Sequence, residues 1–152
     1  MSQTAYVAIG ANLGDARRAV EGAIESLGRL PHGRLVARSS LYRTAPVDAG
    51  GPDFINAVVA LDTGLAPLEL LAELQALELA AGRERPYRNA PRTLDLDLLI
   101  HGDAALDTPV LTLPHPRMSQ RAFVLVPLAE IAPGRVSPGD LAAVAGQAIE
   151  RL

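Results

Sequence analysis

Hydrophobic and polar positions alternate along this chain with two different periods, and the changes of period divide it into elements. Residues 6–10, YVAIG, read as a first strand that leaves through a turn of Gly10, Asn12 and Gly14. Asp15 can then cap a helix reaching about residue 27, because Ala16, Ala19, Val20, Ala23, Ile24 and Leu27 recur at helical spacing on one face. Residues 35–44 and 54–62 predict two strands, joined by the loop APVDAGGPD, which is long enough to carry function. Pro67 suits the first turn of a second helix that runs to about residue 81 and is stopped by Gly82.

The segment PRTLDLDLLIHG, residues 91–102, then returns to strand periodicity. Leu94, Leu96, Leu98 and Ile100 fall on one face, and Thr93, Asp95, Asp97 and Leu99 on the other. A short strand follows at residues 110–113. The apolar segment RAFVLVPLAEIAP fits either a strand or a helix and is read as a helix. The order βαββαβ with a C-terminal extension predicts one α+β domain over residues 1–152, with a ferredoxin-like, mostly antiparallel sheet flanked by helices.

The candidate chemistry starts from Asp95 and Asp97. On a strand their side chains share a face, roughly 6 to 7 Å apart, and repel unless water or a cation lies between them. Oxygen-only ligands in that arrangement suit magnesium, which fills its octahedron with water and substrate phosphates. A half-exposed strand with Leu inside and Asp outside is the alternative reading. The basic residues shift the balance. All fourteen are arginine, and Arg83, Arg85, Arg88 and Arg92 lead directly into the Asp strand, with Arg117 and Arg121 after it. A guanidinium grips phosphate oxygens bidentately, although a chain without lysine also reflects compositional bias. The same lack of lysine excludes a Walker A loop and a lysine Schiff base.

Three further features stand out. Glu69 and Glu73 mark the wet side of the second helix, whereas Glu78 falls among Leu71 and Leu74 and there needs a partner or a route back to solvent. In the strand at 54–62, Ile55, Ala57, Val59 and Leu61 form the apolar face and leave Phe54 beside Asn56 on the other. A ring and an amide side by side suit a heterocycle, although an edge Phe with a turn-side Asn explains them equally. His115, between two prolines in LPHPRM, is either a rigidly presented donor or a plain loop residue.

Composition narrows the classes. At 152 residues and 49% hydrophobic the chain can bury one good core. A net charge of -3 argues against a nucleic-acid binder. With no cysteine there are no disulfides, thiolate nucleophiles or zinc-thiolate sites, and three histidines without metal-ligand spacing argue against zinc. Neither a signal peptide nor a membrane span is recognisable, so a cytoplasmic protein without a membrane partner is expected.

Taken in order, AYVAIGANLGD, SSLYRTAPV, PDFINAVVAL, LELAAGRERPYRNAPRTLDLDLLIHG and LTLPHPRMSQRAFVLVPLAEIAP resemble the 6-hydroxymethyl-7,8-dihydropterin pyrophosphokinases of folate biosynthesis nearly end to end. That resemblance implies transfer of pyrophosphate from ATP to the pterin hydroxymethyl group, with attack on the β-phosphorus and release of AMP. It implies that Asp95 and Asp97 hold two magnesium ions, and that Arg83, Arg85 and Arg92 act catalytically on the transferring group. ATP would lie against Gln75, Glu78, Leu98, Thr112, His115 and Arg121. Pterin would be held by Asn56 and by Thr44, Ala45 and Val47, with its ring between Phe54 and Phe123. A monomer is expected.

The chain departs from the family pattern twice. The loop between Gly82 and Pro91 is a residue short and lacks tryptophan, with Asn89 near that position and Tyr87 as the replacement ring, and Pro116 stands where an aromatic is expected after His115. Two other classes stay open. A phosphodiesterase or nucleotidyltransferase using the same Asp pair would cleave ATP at the α-phosphorus, and a non-catalytic ferredoxin-like module would bind a ligand without turnover.

Overall fold

The structure is a computed structural model that describes residues 2–46, 51–81 and 94–152. Alternation along the first strand places Ala5, Val7, Ile9 and Ala11 of β1 (Gln3–Ala11) in one apolar cluster and Ala8 in a second on the opposite face. The strand runs one residue past Gly10, so Gly10 lies in the sheet, and of the predicted turn glycines it is Gly14 that takes a positive φ, +59°. Helix α1 (Ala16–Gly28) begins at Asp15, whose Oδ1 accepts from the Arg18 N–H at 3.1 Å, and buries Val20, Ala23, Ile24 and Leu27.

The strand predicted at residues 35–44 is broken. β2 (Gly33–Arg38) and β3 (Tyr42–Thr44) pair separately with β4 (Phe54–Thr63). At the break the Ser39 N–H donates to the Val58 carbonyl at 2.9 Å, and its Oγ accepts from the Val58 N–H, also at 2.9 Å. A hydroxyl thus takes the place of a ladder carbonyl where the backbone bends away. Helix α2 (Pro67–Ala80) starts with the Glu69 carboxylate accepting from the Ala66 N–H at 2.8 Å. It leads towards β5 (Asp95–His101).

All pairings are antiparallel, in the order β5-β1-β4-β3, with β2 also on β4. This is the ferredoxin-like α+β arrangement predicted from the element order. α1 and α2 cover one sheet face. The ambiguous apolar segment forms α3 (Ala122–Ile131), which covers part of the other face through Val124, Leu125 and Leu128.

Along β5 the alternation slips. Tyr6 pairs with Ile100 but Val7 with Leu98, so Leu99 is an extra residue in the ladder. Leu94, Leu96 and Leu98 join the cluster under α1 and α2 as expected, whereas Ile100 joins Leu99 under α3, which corrects its predicted face. His101 is turned to the α2 side, where its Nε2 lies 2.8 Å from the Leu65 carbonyl.

The strand predicted at residues 110–113 shrinks to a hairpin of β6 (Leu106–Asp107) and β7 (Thr112–Leu113), because the Thr108 hydroxyl and N–H bind Leu111 into a turn. The C-terminal extension is more structured than the sequence indicated. It contains α4 (Pro138–Ala143) and β8 (Ile149–Arg151), which adds an edge strand beside β3.

One carboxylate ties these late elements together. Glu130, in the last turn of α3, accepts from the Tyr42 hydroxyl at 2.6 Å, the Ser40 hydroxyl at 2.9 Å and the Ser40 N–H at 3.0 Å, with the Arg151 guanidinium at 3.6 Å. Burial alone would raise its pKa, but the bonds from Tyr42 and Ser40 and the Arg151 charge outweigh it and hold Glu130 below the ordinary 4.5. Tyr42 is pushed up to about 12, first by burial and then by its bond to Glu130 and that carboxylate's charge. Because the folded chain binds the Glu130 proton less tightly than the unfolded one, this contribution is complete above pH 4.5 and is lost as pH falls through the folded value. Glu130→Gln should therefore lower the unfolding midpoint at pH 7 and give a shallower loss of stability below pH 4.5 than the parent chain, measured by thermal melts across pH.

Candidate active site

The face of the sheet that α3 covers only in part opens, beyond the helix N-terminus, into a cavity of about 1030 Å³. Its floor is set by strand register. Asp95 pairs with Gly10, Gly10 with Asn56 and Asn56 with Tyr42, so a carboxylate, a bare backbone and an amide stand in one row across β5, β1 and β4. Asp97, opposite Ala8, is the next residue on that face of β5. Asp95 is half-buried and Asp97 exposed, and both line the cavity.

Asn56 is buried and donates through Nδ2 to the Thr44 Oγ1 at 2.8 Å. Its Oδ1 is left beside Gly10, where an added Cβ would stand 3.1 Å from that oxygen. The glycine therefore keeps the floor flat between the amide and the carboxylates. Thr44, Ala45 and Pro46 form one wall. Arg117, Gln120, Arg121 and Phe123, with Gln147 and Ala148, line the cavity from the C-terminal part of the chain. Phe54 and Phe123 are both half-buried and line the same space. The Arg121 guanidinium lies 5.4 Å from the centre of the Phe123 ring, an attractive stacking geometry that holds the cation at the cavity wall.

A second cavity of about 270 Å³ adjoins it, lined by Leu96, Leu98, Thr112, His115 and, again, Asp97. The His115 N–H donates to the Leu99 carbonyl at 2.8 Å, and its Nδ1 accepts from the Arg117 N–H at 3.2 Å. An accepting Nδ1 leaves the proton of the neutral ring on Nε2. Burial lowers the His115 pKa, the Asp97 charge opposes that, and Arg121 and Arg117 lower it further, so the imidazole is a neutral donor at pH 7.

Of the positions singled out from sequence, Asp95, Asp97, Thr44, Ala45, Phe54, Asn56, Arg121 and Phe123 converge on the larger cavity, and Leu98, Thr112 and His115 on the smaller. Gln75 and Glu78 line neither of these two. Gln75 is exposed on α2, while Glu78 is buried and its Oε2 accepts from the Leu96 N–H at 2.8 Å, where β5 forms the edge of the sheet. That contact gives the carboxylate of Glu78 a backbone partner at the start of β5. Val47, Arg83, Arg85 and Arg92, with Tyr87 and Asn89, lie outside the described residues. Sequence reading missed Gly10 as floor, Arg117 as wall and Gln147 altogether. A glycine within strand periodicity was a signal for the first, and Arg117 stood in the arginine cluster without a role. A lone glutamine far along the chain gave none.

Two adjoining cavities that share one carboxylate, Asp97, with Asp95 beside it in the larger and with arginine and neutral histidine on their walls, fit an enzyme of phosphoryl-type group transfer. A family model for 7,8-dihydro-6-hydroxymethylpterin-pyrophosphokinase matches residues 6–133. The 2-amino-4-hydroxy-6-hydroxymethyldihydropteridine pyrophosphokinase of Pseudomonas aeruginosa is 51% identical over 159 aligned positions, covering 100% of this chain and 98% of that protein. The Haemophilus influenzae protein of the same name is 43% identical, over 90% and 86% of the two chains. Among solved structures, the Plasmodium falciparum HPPK-DHPS wild type with pteroate superposes with a TM-score of 0.68 at 14% identity, covering 86% of this chain and 39% of that one, and supports the fold. The chain belongs to the 7,8-dihydro-6-hydroxymethylpterin-pyrophosphokinase family. It is an ATP-dependent pyrophosphokinase acting on hydroxymethyldihydropterin in folate biosynthesis.

Gly10→Ala places a methyl against Asn56 Oδ1 and within 3.9 Å of the Phe54 ring. It should raise KM for the pterin by roughly 5- to 150-fold, the factor that corresponds to about 1–3 kcal/mol of overpacking. Steady-state kinetics at saturating ATP measures this, and an unchanged KM would show that Asn56 yields.

Proposed function

We propose that the larger cavity holds the dihydropterin, that the smaller holds the nucleotide, and that the hydroxymethyl oxygen attacks the β-phosphorus of ATP where the two meet. The observation that carries this reading is Asp97, which lines both cavities, with Asp95 beside it on the same strand face.

Those two carboxylates fit magnesium. They are oxygen donors on one face of a strand, and among the described residues no group of three or more His, Cys, Asp or Glu forms a fuller metal cage. A pair of carboxylates that leaves most coordination positions to water and phosphate suits this ion better than zinc or calcium. Two magnesium ions bound there would offset phosphate charge and lower the cost of ionising the acceptor hydroxyl.

The chain's own residues do the rest. Asn56, fixed by Thr44, offers Oδ1 to a donor on the pterin edge, and the flat backbone of Gly10 lets the ring lie against the sheet. Two strand spacings, roughly 10 Å, separate Asn56 from Asp95, which is about the reach from a pterin's amide edge to its hydroxymethyl group. Phe54 and Phe123 flank the ring. His115, held neutral with its proton on Nε2, donates to a phosphate oxygen without itself needing charge, and Arg121 brings a permanent positive charge from the wall of the larger cavity. Arg83, Arg85 and Arg92 belong to the same proposal on sequence grounds. Residues 1–152 act as one catalytic domain.

The decisive assay supplies ATP, magnesium and 6-hydroxymethyl-7,8-dihydropterin and separates the nucleotides. AMP formed only with pterin present, in amounts equal to a pterin diphosphate, supports the proposal, whereas pyrophosphate release would move the attack to the α-phosphorus. Asp97→Ala should lower turnover by about three or more powers of ten, since it removes a metal ligand at the reacting phosphate, while the unfolding midpoint stays within error. A collapsed fold in that variant would make the aspartate structural.

A further inference from the structure

Helix α3 begins without help from its own neighbourhood, because Arg121 at its N-cap makes no side-chain capping bond. The cap comes from 25 residues further on. Gln147 Oε1 accepts from the Ala122 N–H at 2.9 Å, and the same amide's Nε2 donates to the Gln120 carbonyl at 2.9 Å. These two backbone groups flank Arg121 on either side. A single primary amide therefore satisfies both, much as a neighbouring strand would, and holds Arg121 in its extended backbone conformation of φ -128° and ψ 110°.

We propose that Gln147 is a positioning residue for the reaction, fixing the backbone of Arg121 so that its guanidinium stands at the cavity wall. The inference rests on the reading of Arg121 as a phosphate-side cation. Gln120, Arg121, Ala122 and Gln147 all line the larger cavity, so the clamp lies at the site itself. Gln147 itself lies beyond residue 133, where the family match stops, and reaches back to Gln120 and Ala122 inside it. β8, two residues after Gln147, pairs with β3, and the loop that carries the amide is thereby tethered to the same sheet as the carboxylates. The same two peptide planes are also held by the Arg121 N–H, which donates to the Met118 carbonyl at 3.3 Å, and by the Arg121 carbonyl, which accepts from the Val124 and Leu125 N–H groups at 3.1 and 3.0 Å; the amide of Gln147 adds a direct link between the two planes.

The test is a double-mutant cycle of Gln147→Met, which keeps length but removes both bonds, with Arg121→Ala. Gln147→Met alone should lower kcat by roughly 10- to 100-fold, the cost typical of misplacing a reacting-site group by about 1 Å, with KM for the pterin changed less than about threefold. In the Arg121→Ala background it should cost no further activity, because the group it positions is gone. A wild-type kcat in Gln147→Met overturns the proposal. So does an equal loss in both backgrounds, which would mean a direct substrate contact or a general loosening. Arg121→Ala with wild-type kcat would overturn both this inference and the role given to Arg121, while the Asp97 and product assays would still judge the rest of the site.

Discussion

The register of β5 against β1 is the constraint on which the remaining geometry depends. Leu96 and Leu98 are buried beneath the helices on one side, and this forces Asp95 and Asp97 to the other. A one-residue slip would bury two carboxylates and expose the leucines, a change no local adjustment could offset. β5 lies at the end of the sheet order, where strands are least constrained, so its register needs support beyond β1. Glu78 supplies it from α2 by accepting the Leu96 N–H, which ties one helix to one particular peptide of the strand.

The opposite face of the sheet solves a different problem, since it must be covered enough to be stable and open enough to admit ligands. Helix α3 meets both demands by lying over only one end. Its last turn is anchored through Glu130 to Ser40 and Tyr42, and its first turn, with Phe123, becomes a cavity wall. The break between β2 and β3 serves this arrangement. By leaving the ladder at Ser39 the chain directs Ser40 towards Glu130, while Tyr42 rejoins β4 in register with Asn56.

Much of this was legible in the chain because it follows from periodicity. The strand-face placement of Asp95 with Asp97 and of Phe54 with Asn56, the N-cap of α1 at Asp15, and the βαββαβ order all rest on spacing that local geometry enforces. What was not legible depends on partners distant in sequence. Nothing in residues 35–44 marks Ser39 as a break, since the break exists for Val58 and Glu130. The alternation of LDLDLLIH does not announce that Leu99 is the extra residue, because a bulge is a property of two strands together. β8 is three residues without a periodic signature, recognisable as a strand only beside β3. Glu78 was marked correctly as a carboxylate in need of a partner, yet a backbone N–H at a sheet edge leaves no trace in composition.

Asp97 belongs to both cavities, and this has a thermodynamic consequence. A cation or phosphate that changes the charge around this carboxylate from one side alters the field felt from the other, so occupancy of the two compartments is linked in free energy. Such linkage is reciprocal: whatever factor the nucleotide applies to the affinity of the pterin, the pterin must apply to the affinity of the nucleotide. On the proposed assignment of the two cavities, a single shared side chain would make the two binding events one coupled equilibrium.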